Sequence, residues 1–262
     1  MTTAMPATPA WPPKSAPRLF VATTLAPDLA ITIEGPQAHY LSRVMRAAPG
    51  DVVVLCDDQT GEWAAEVTQA NKRHVLLTIQ TQLRPREPVP DLWLCAALLK
   101  KPNFDVVLEK ATELGVARIQ PLVTRRCVAD KLNEDRARII VTEAAEQCAR
   151  TALPQITAPL RLDALLREWP ADRALFFADE NGGEPAAQAF AAHPGPAALL
   201  IGPEGGFDDA ESAAVRALPQ ARAIGLGPRI LRAETAAIAA LALWMGTAGD
   251  WHNSLAQQRP LA

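Results

Sequence analysis

From residue 92 onward the sequence alternates short apolar runs with longer segments whose apolar residues recur every three or four positions, and this alternation constrains the fold more than any other feature. Strands are expected at 92–99, 117–123, 174–178, 197–201 and 222–224. Helices are expected after Pro102, at 134–150, 162–169, 209–218 and 233–244. In the first helix Phe104, Val107, Leu108, Ala111 and Leu114 share one face, and Gly115 stands where a left-handed cap would close it. Such a rhythm yields a parallel sheet flanked by helices, an α/β architecture in which ligands bind beyond the carboxyl ends of the strands. The longest apolar runs, 93–99 and 236–245, fall short of the roughly 18–20 residues a membrane span needs, so no membrane partner is expected.

The stretch 18–81 follows a different pattern. Strand-like segments at 18–21, 31–33, 51–56, 63–68 and 75–79 are separated by turns at Pro49-Gly50-Asp51 and Asp57-Asp58-Gln59-Thr60-Gly61. A short helix opens at Gly35-Pro36 and carries His39, Tyr40, Leu41, Arg43, Val44 and Met45. These elements suffice for a small β-barrel. Three prolines within 83–90 favour an extended connector. The expected division is an extension over 1–16, a barrel over 17–83, a linker over 84–90, a second domain over 91–250 and a tail over 251–262. Pro6, Pro9, Pro12, Pro13 and Pro17, with no apolar core among them, mark the extension as disordered and not a signal peptide.

Across 262 residues, 26 Lys and Arg face 29 Asp and Glu, so no global field draws the chain to a polyanion. The balance is uneven: 84–150 holds 12 basic and 10 acidic residues, whereas 151–262 holds 8 and 12. A nucleic-acid site would therefore be a local patch. Cys56, Cys95, Cys127 and Cys148 form no CxxC pair and do not cluster with His39, His74, His193 or His252, so neither a disulfide framework nor a metal site is expected, and a reducing cytoplasm fits.

Two glycine loops carry the sharpest local signals. Leu199-Leu200-Ile201-Gly202-Pro203-Glu204-Gly205-Gly206-Phe207 runs from a strand into a side-chain-poor loop, and Asp208 and Glu211 have capping-box spacing for the next helix. It is neither Gly-x-Gly-x-x-Gly nor a Walker loop, and Pro203 removes an amide donor a phosphate would use. About 20 residues on, Ala223-Ile224-Gly225-Leu226-Gly227-Pro228-Arg229-Ile230-Leu231-Arg232-Ala233-Glu234-Thr235-Ala236 repeats the strand, loop and helix order with apolar Leu226, Ile230 and Leu231 beside two arginines. Such walls suit a neutral aromatic base, with arginines placed for an anion. Each loop alone could simply close a turn; two in succession point to a shared site.

These two segments resemble the RsmE family of 16S rRNA uridine-N3 methyltransferases, in the SPOUT superfamily. So do Glu109-Lys110-Ala111-Thr112-Glu113-Leu114-Gly115-Val116 and Glu143-Ala144-Ala145-Glu146-Gln147-Cys148-Ala149-Arg150. In the first part, Arg18-Leu19-Phe20, His39-Tyr40-Leu41 and Arg43-Val44-Met45-Arg46 resemble the family's PUA-like RNA-binding domain, and the likeness spans about 17–246. Two positions depart from it: Lys101-Pro102-Asn103-Phe104 replaces a more basic, glycine-containing turn, and Cys148 replaces a serine.

The resemblance implies a carboxyl-terminal parallel sheet with a trefoil knot, preceded by a PUA-like barrel. It implies S-adenosyl-L-methionine held around Ile201, Gly202, Gly205, Ile224, Leu226, Gly227, Ile230 and Leu231. It also implies a homodimer, with the apolar helix 236–244 as an interface element or, alternatively, buried within one copy. The substrate would be a uridine in 16S rRNA of the 30S subunit. Methylation at N3 requires loss of an imide proton and stabilisation of charge on O2 and O4. Glu204 is the candidate acceptor; its structural alternatives are capping backbone amides or bridging to Arg232. Arg229 and Arg232 are candidates to hold phosphate or uracil oxygens, and Glu234-Thr235 begins the last helix, with Thr235 a candidate pocket residue. RNA contacts are expected from Arg18, Arg43 and Arg46, with His39 in a packing or hydrogen-bonding role, and Lys100, Lys101, Arg125 and Arg126 as further candidates at strand ends. Two competing readings are a non-catalytic RNA-binding assembly factor that keeps the knotted fold, and a nucleotide-dependent oxidoreductase, which would lack a phosphate fingerprint here.

Overall fold

A computed structural model describes residues 12–13 and 15–252, and the chain divides between Glu87 and Pro88 into two units, taken here in turn. The expected extension and tail lie largely outside the described residues.

In the first unit, β1 (Arg18–Phe20), β2 (Ala30–Glu34), β3 (Val52–Cys56), β4 (Gly61–Ala70) and β5 (His74–Pro85) form one sheet in the order β1-β3-β4-β5-β2. β1 runs parallel to β3; every other pair is antiparallel. Alternate residues of the strands, among them Ile31, Ile33, Val53, Leu55, Ala65, Val67, Val75, Leu77 and Ile79, point into one core, as period-two patterning demands. α1 (Gly35–His39) continues as a π-helical turn over Tyr40–Val44, and together they set Ala38 and Leu41 on that core. The opposite side of this helical segment is exposed: His39, Arg43 and Arg46 face solvent, beside Tyr40, Val44 and Met45. His39 is thus a surface residue and not a packed one.

The turn at 57–61 is built around a buried carboxylate. Asp57 Oδ1 accepts the backbone N–H groups of Gln59, Thr60 and Gly61 at 2.9, 2.7 and 3.2 Å, while Oδ2 accepts Leu25 N–H at 2.7 Å and the Thr60 hydroxyl at 2.6 Å. Gly61 leaves this turn at φ +113°, and a Cβ there would lie 2.4 Å from the Arg84 carbonyl oxygen. Gly61→Ala is therefore expected to cost at least about 2 kcal/mol, from left-handed strain plus a clash with backbone that cannot yield. Urea unfolding of the full chain would show it; an unchanged midpoint would refute the steric argument. Next along β4, buried Glu62 holds the guanidinium groups of both Arg18 and Arg84. Arg18, expected as an RNA contact, is instead part of this ion triad, because the pairing of β1, β3 and β4 brings it to a buried carboxylate.

In the second unit the order is β6 (Leu92–Ala97), α2 (Lys101–Glu113), β7 (Arg118–Val123), α3 (Glu134–Cys148), β8 (Gln155–Ile156), β9 (Leu160–Arg161), α4 (Leu162–Arg167), β10 (Ala174–Ala178), β11 (Glu184–Pro185), α5 (Ala186–Ala192), β12 (Ala197–Ile201), α6 (Asp209–Ala217), β13 (Ala221–Gly225) and α7 (Ala233–Thr247). The sheet runs β11-β13-β10-β12-β6-β7-β8, with β9 beside β7, and every pair is parallel. Both faces are buried. Leu92, Leu94, Phe176, Leu199, Ile201 and Ile224 face a core shared with α2, α3, α5 and α7, while Cys95, Leu175, Phe177, Ala198 and Leu200 face α4 and α6. This is why the strands read as continuous apolar runs. α2 ends as expected: Gly115 takes φ +90°, its N–H bonds to the Thr112 carbonyl, and Val116 N–H bonds to the Ala111 carbonyl. Pro102 stands in the first turn of that helix, so the segment that departs from the family pattern is a helix start, with Lys100 and Lys101 exposed there.

Candidate active site

β10 lies between β13 and β12, so the chain leaves β10 to one side and later returns to the other. Crevices open at such reversals of strand order, beyond the carboxyl ends. A cavity of about 690 Å³ opens there, lined by the loops that follow all three strands. Its apolar walls include Ile201, Ile224, Leu226 and Leu231, with Ala233 and Ala236 from the start of α7. Charge is distributed around it: Glu180, Glu204 and Asp209 supply carboxylates, and Arg126, Arg229 and Arg232 supply guanidinium groups.

The glycines of the β12 loop answer to neighbouring side chains. A Cβ on Gly202 would meet the Phe207 ring at 3.1 Å, one on Gly205 would meet the Arg126 stem at 3.4 Å, and one on Gly206, which sits at φ +65°, would meet a Glu180 oxygen at 3.1 Å. Gly206 N–H bonds to the Pro203 carbonyl at 2.9 Å and closes the turn. α6 then starts with the expected capping box: Asp208 Oδ1 accepts Glu211 N–H at 2.7 Å, and Glu211 Oε2 accepts Asp208 N–H at 3.1 Å. The Glu211 N–H and the Arg125 guanidinium hold the Asp208 carboxyl below the usual carboxylate range.

Of the residues the sequence pointed to, Ile201, Gly202, Glu204, Ile224, Leu226, Gly227, Arg229, Ile230, Leu231 and Arg232 all line the cavity. Ile230 does so from the rim, 87% exposed. Gly205 is not among the lining residues; it is exposed, with Arg126 bonded to its carbonyl. Thr235 is exposed and outside the lining. Neither Glu204 nor Arg232 has a charged partner among the described residues, so the bridge between them considered above is not formed. Arg125 and Arg126 are engaged: Arg125 Nη1 pairs with Asp208 Oδ2 at 2.9 Å, and Arg126 Nη1 donates to the Gly205 carbonyl at 2.9 Å. The loop after β10, Asp179-Glu180-Asn181-Gly182, is the third wall and was missed. Its signal was present in the sequence: an apolar run, 174–178, followed by polar residues and paired glycines, the same pattern as in the other two loops.

The arrangement is a concave, partly apolar site with placed charges of both signs, and comparison gives it a class. Residues 85–245 match the family described as RNA methyltransferase domain, and residues 33–80 match the RNA methyltransferase PUA domain. Among individual proteins the chain is 33% identical to ribosomal RNA small subunit methyltransferase E of Synechocystis sp., across 86% of this chain and 76% of that relative. It is 32% identical to the protein of the same name from Bacillus subtilis, across 82% and 89%. The crystal structure of a ribosomal RNA small subunit methyltransferase E from Neisseria gonorrhoeae bound to S-adenosyl methionine superposes with a TM-score of 0.82 at 25% identity, covering 90% of this chain and 99% of that one. A putative methyltransferase from Legionella pneumophila, in complex with the bound cofactor SAM, gives 0.78 at 28%, covering 88% and 97%. This chain belongs to the ribosomal RNA small subunit methyltransferase E family.

Proposed function

We propose that this chain is an S-adenosyl-L-methionine-dependent methyltransferase that modifies N3 of a uridine in 16S rRNA of the 30S subunit. The observation that carries the reading is the three-loop cavity at the reversal of strand order, in a chain whose structural relatives hold S-adenosyl methionine. The cavity fits that molecule. Its volume lies in the ordinary range for ligand sites, roughly 300–1,000 Å³, its apolar walls suit an adenine ring, and Glu180 and Asp209 suit the ligand's cationic groups. When bound, the cofactor supplies an electrophilic methyl group on a sulfonium.

The chain's own residues must then orient the uracil, remove its N3 proton and balance charge on O2 and O4. Glu204 is exposed to the cavity with no cationic side chain paired to its carboxylate among the described residues, which suits it to accept the proton. Arg229 and Arg232 stand on the β13 loop, neither with a charged partner among the described residues, and the amino-terminal turn of α7 adds its positive end to that wall. They receive the uracil oxygens or the flanking phosphate. Exposed Arg43 and Arg46 in the first unit, neither with a charged partner among the described residues, hold RNA phosphates.

The same reading includes a trefoil knot, supported by the double crossing of β10 and by the return of α7 onto α2 and β12. It also includes a homodimer in the cytoplasm. For the dimer, α7 offers less than its composition suggested: Ala237, Ala240, Leu241, Trp244 and Met245 are buried within this chain, and Leu243 is the exposed large apolar side chain of that helix. No helix among the described residues is long and apolar enough to cross a membrane. The assembly-factor alternative is not favoured, since the cavity keeps Glu204, Arg229 and Arg232 facing it. Mass spectrometry of rRNA from a strain lacking the protein is the test. One 16S uridine is expected to lose a base methyl group and to regain it when purified protein and cofactor are added to those 30S subunits. An unchanged rRNA, with no cofactor binding by calorimetry, would refute the reading.

A further inference from the structure

The loop after β7 reaches across to the glycine loop after β12 through three hydrogen bonds that span about 80 residues of sequence. Arg125 N–H donates to Glu211 Oε1 at 2.8 Å, Arg125 Nη1 to Asp208 Oδ2 at 2.9 Å, and Arg126 Nη1 to the Gly205 carbonyl at 2.9 Å. The donor loop is itself pinned: Thr124 N–H and hydroxyl lie 3.3 and 3.2 Å from Cys127 Sγ, and Cys127 N–H bonds to the Thr124 carbonyl at 3.2 Å. β7 and β12 are not neighbours, because β6 runs between them. The bonds therefore add a constraint that strand pairing does not already provide.

We propose that Arg126 is a positioning residue of the cofactor cavity, fixing the 202–207 loop through Gly205 while Arg125 anchors the far end of that loop at the α6 cap. This rests on the reading of the cavity as the S-adenosylmethionine site. Three observations converge on it. Arg126 lines the cavity, whereas Gly205 does not. The alkyl stem of Arg126 lies beside Gly205, 3.4 Å and 3.6 Å from the place a Cβ would take, so the arginine packs against the loop as well as bonding to it. And the next residue, Gly206, holds φ +65° and closes its own turn on the Pro203 carbonyl, so the tether from Arg126 acts one residue earlier, on a carbonyl that this turn leaves without a bond of its own. A carbonyl held by a guanidinium keeps the loop preformed, which lowers the ordering cost of binding.

The test is calorimetric titration of the full chain with S-adenosylmethionine and, separately, S-adenosylhomocysteine, alongside steady-state methylation of unmodified 30S subunits. Arg126→Ala is expected to weaken both ligands roughly tenfold, the low end for a hydrogen bond from a charged donor at an exposed site. The loss should appear in the KM for cofactor more than in kcat. Arg126→Lys, whose ammonium can still reach a carbonyl, should recover part of it. Gly205→Ala puts a Cβ in contact with that stem, so any loss it causes should act through Arg126, and the double variant should be no worse than Arg126→Ala alone. Wild-type affinity in Arg126→Ala, a lowered kcat at unchanged affinity, or additive losses in the double variant would each overturn the proposal. Failure of the wild-type chain to bind either ligand would instead refute the cavity's assignment. Should Arg126→Ala fold poorly, the coupling is read from Arg126→Lys and Gly205→Ala.

Discussion

Glu204→Gln is expected to slow methyl transfer by about 10²–10⁴ fold, the range in which a positioned proton acceptor contributes, while S-adenosylmethionine still binds. The substitution keeps size and one acceptor oxygen, but it removes the negative charge and with it the ability to take up a proton. Glu204 lies on the β12 loop, faces the cavity and has no charged partner among the described residues, so little besides the proton transfer should change. A second readout separates this role from simple ligand contact. The uracil imide loses its proton to solvent as pH rises, and a site lacking its acceptor should then catch up. The deficit of Glu204→Gln measured in single-turnover methylation should therefore shrink toward alkaline pH. A rate within twofold of wild type at neutral pH would remove Glu204 from the chemistry. A deficit constant across pH, with weakened cofactor binding, would make it a binding residue.

Arg232→Ala should behave differently, because a cation stabilising O2 or O4 acts at every pH. Arg232 stands at the N-cap of α7 without a side-chain cap bond, so its loss should leave the helix intact.

Local chemistry wrote much of this site into the sequence. Glycine loops, the Asp208–Glu211 capping box and the Gly115 cap are decisions made within a few residues, and each is found as read. What could not be read depends on pairing between distant segments. Nothing in 174–178 says that this strand lies between two others that follow it, and the wall formed by Asp179-Glu180-Asn181-Gly182 went unnoticed for that reason. Arg18 looked like an RNA contact because its partner, Glu62, lies 44 residues away on another strand. Arg125 and Arg126 looked like further RNA contacts for the same reason, their partners lying 79 to 86 residues on. The two-residue strands β8, β9 and β11 carry no periodicity at all, and the seven residues of α5 are too few to show one. Gly205 was placed in a cavity loop, and only the tertiary fold shows that its neighbour there is an arginine from a strand end 79 residues earlier.

Glu62→Gln is the second large effect, and it falls on stability instead of chemistry. Burial alone would push the Glu62 carboxyl up, but the hydrogen bond from Arg84 and the charges of Arg18 and Arg84 hold it below the ordinary range. Removing that charge leaves two guanidinium groups, with side chains 23% and 12% exposed, facing each other across a neutral amide. Breaking a buried pair of this kind costs about 3–5 kcal/mol, with the lower figure apt here because Arg18 is partly solvated and Arg84 is held by a further interaction. Asp57 adds to the same trend. Burial would raise its carboxyl as well, yet the Leu25 N–H, the Thr60 hydroxyl and the N–H groups of Gln59 and Thr60 hold it down. A carboxyl lowered in the folded state contributes stability that is fully present above its unfolded value, about 4 for Asp and Glu, and that is lost as pH falls through the folded value. The first unit should therefore loosen in acid. Hydrogen exchange of β3, β4 and β5 in the full chain, corrected for intrinsic rates, should show protection falling below about pH 4 in the wild type. In Glu62→Gln, protection should already be low at neutral pH, and the gap from wild type should narrow as the pH drops. A gap independent of pH would mean that the carboxylate's charge contributes nothing, and that Glu62 matters only through its packing between β1 and β5.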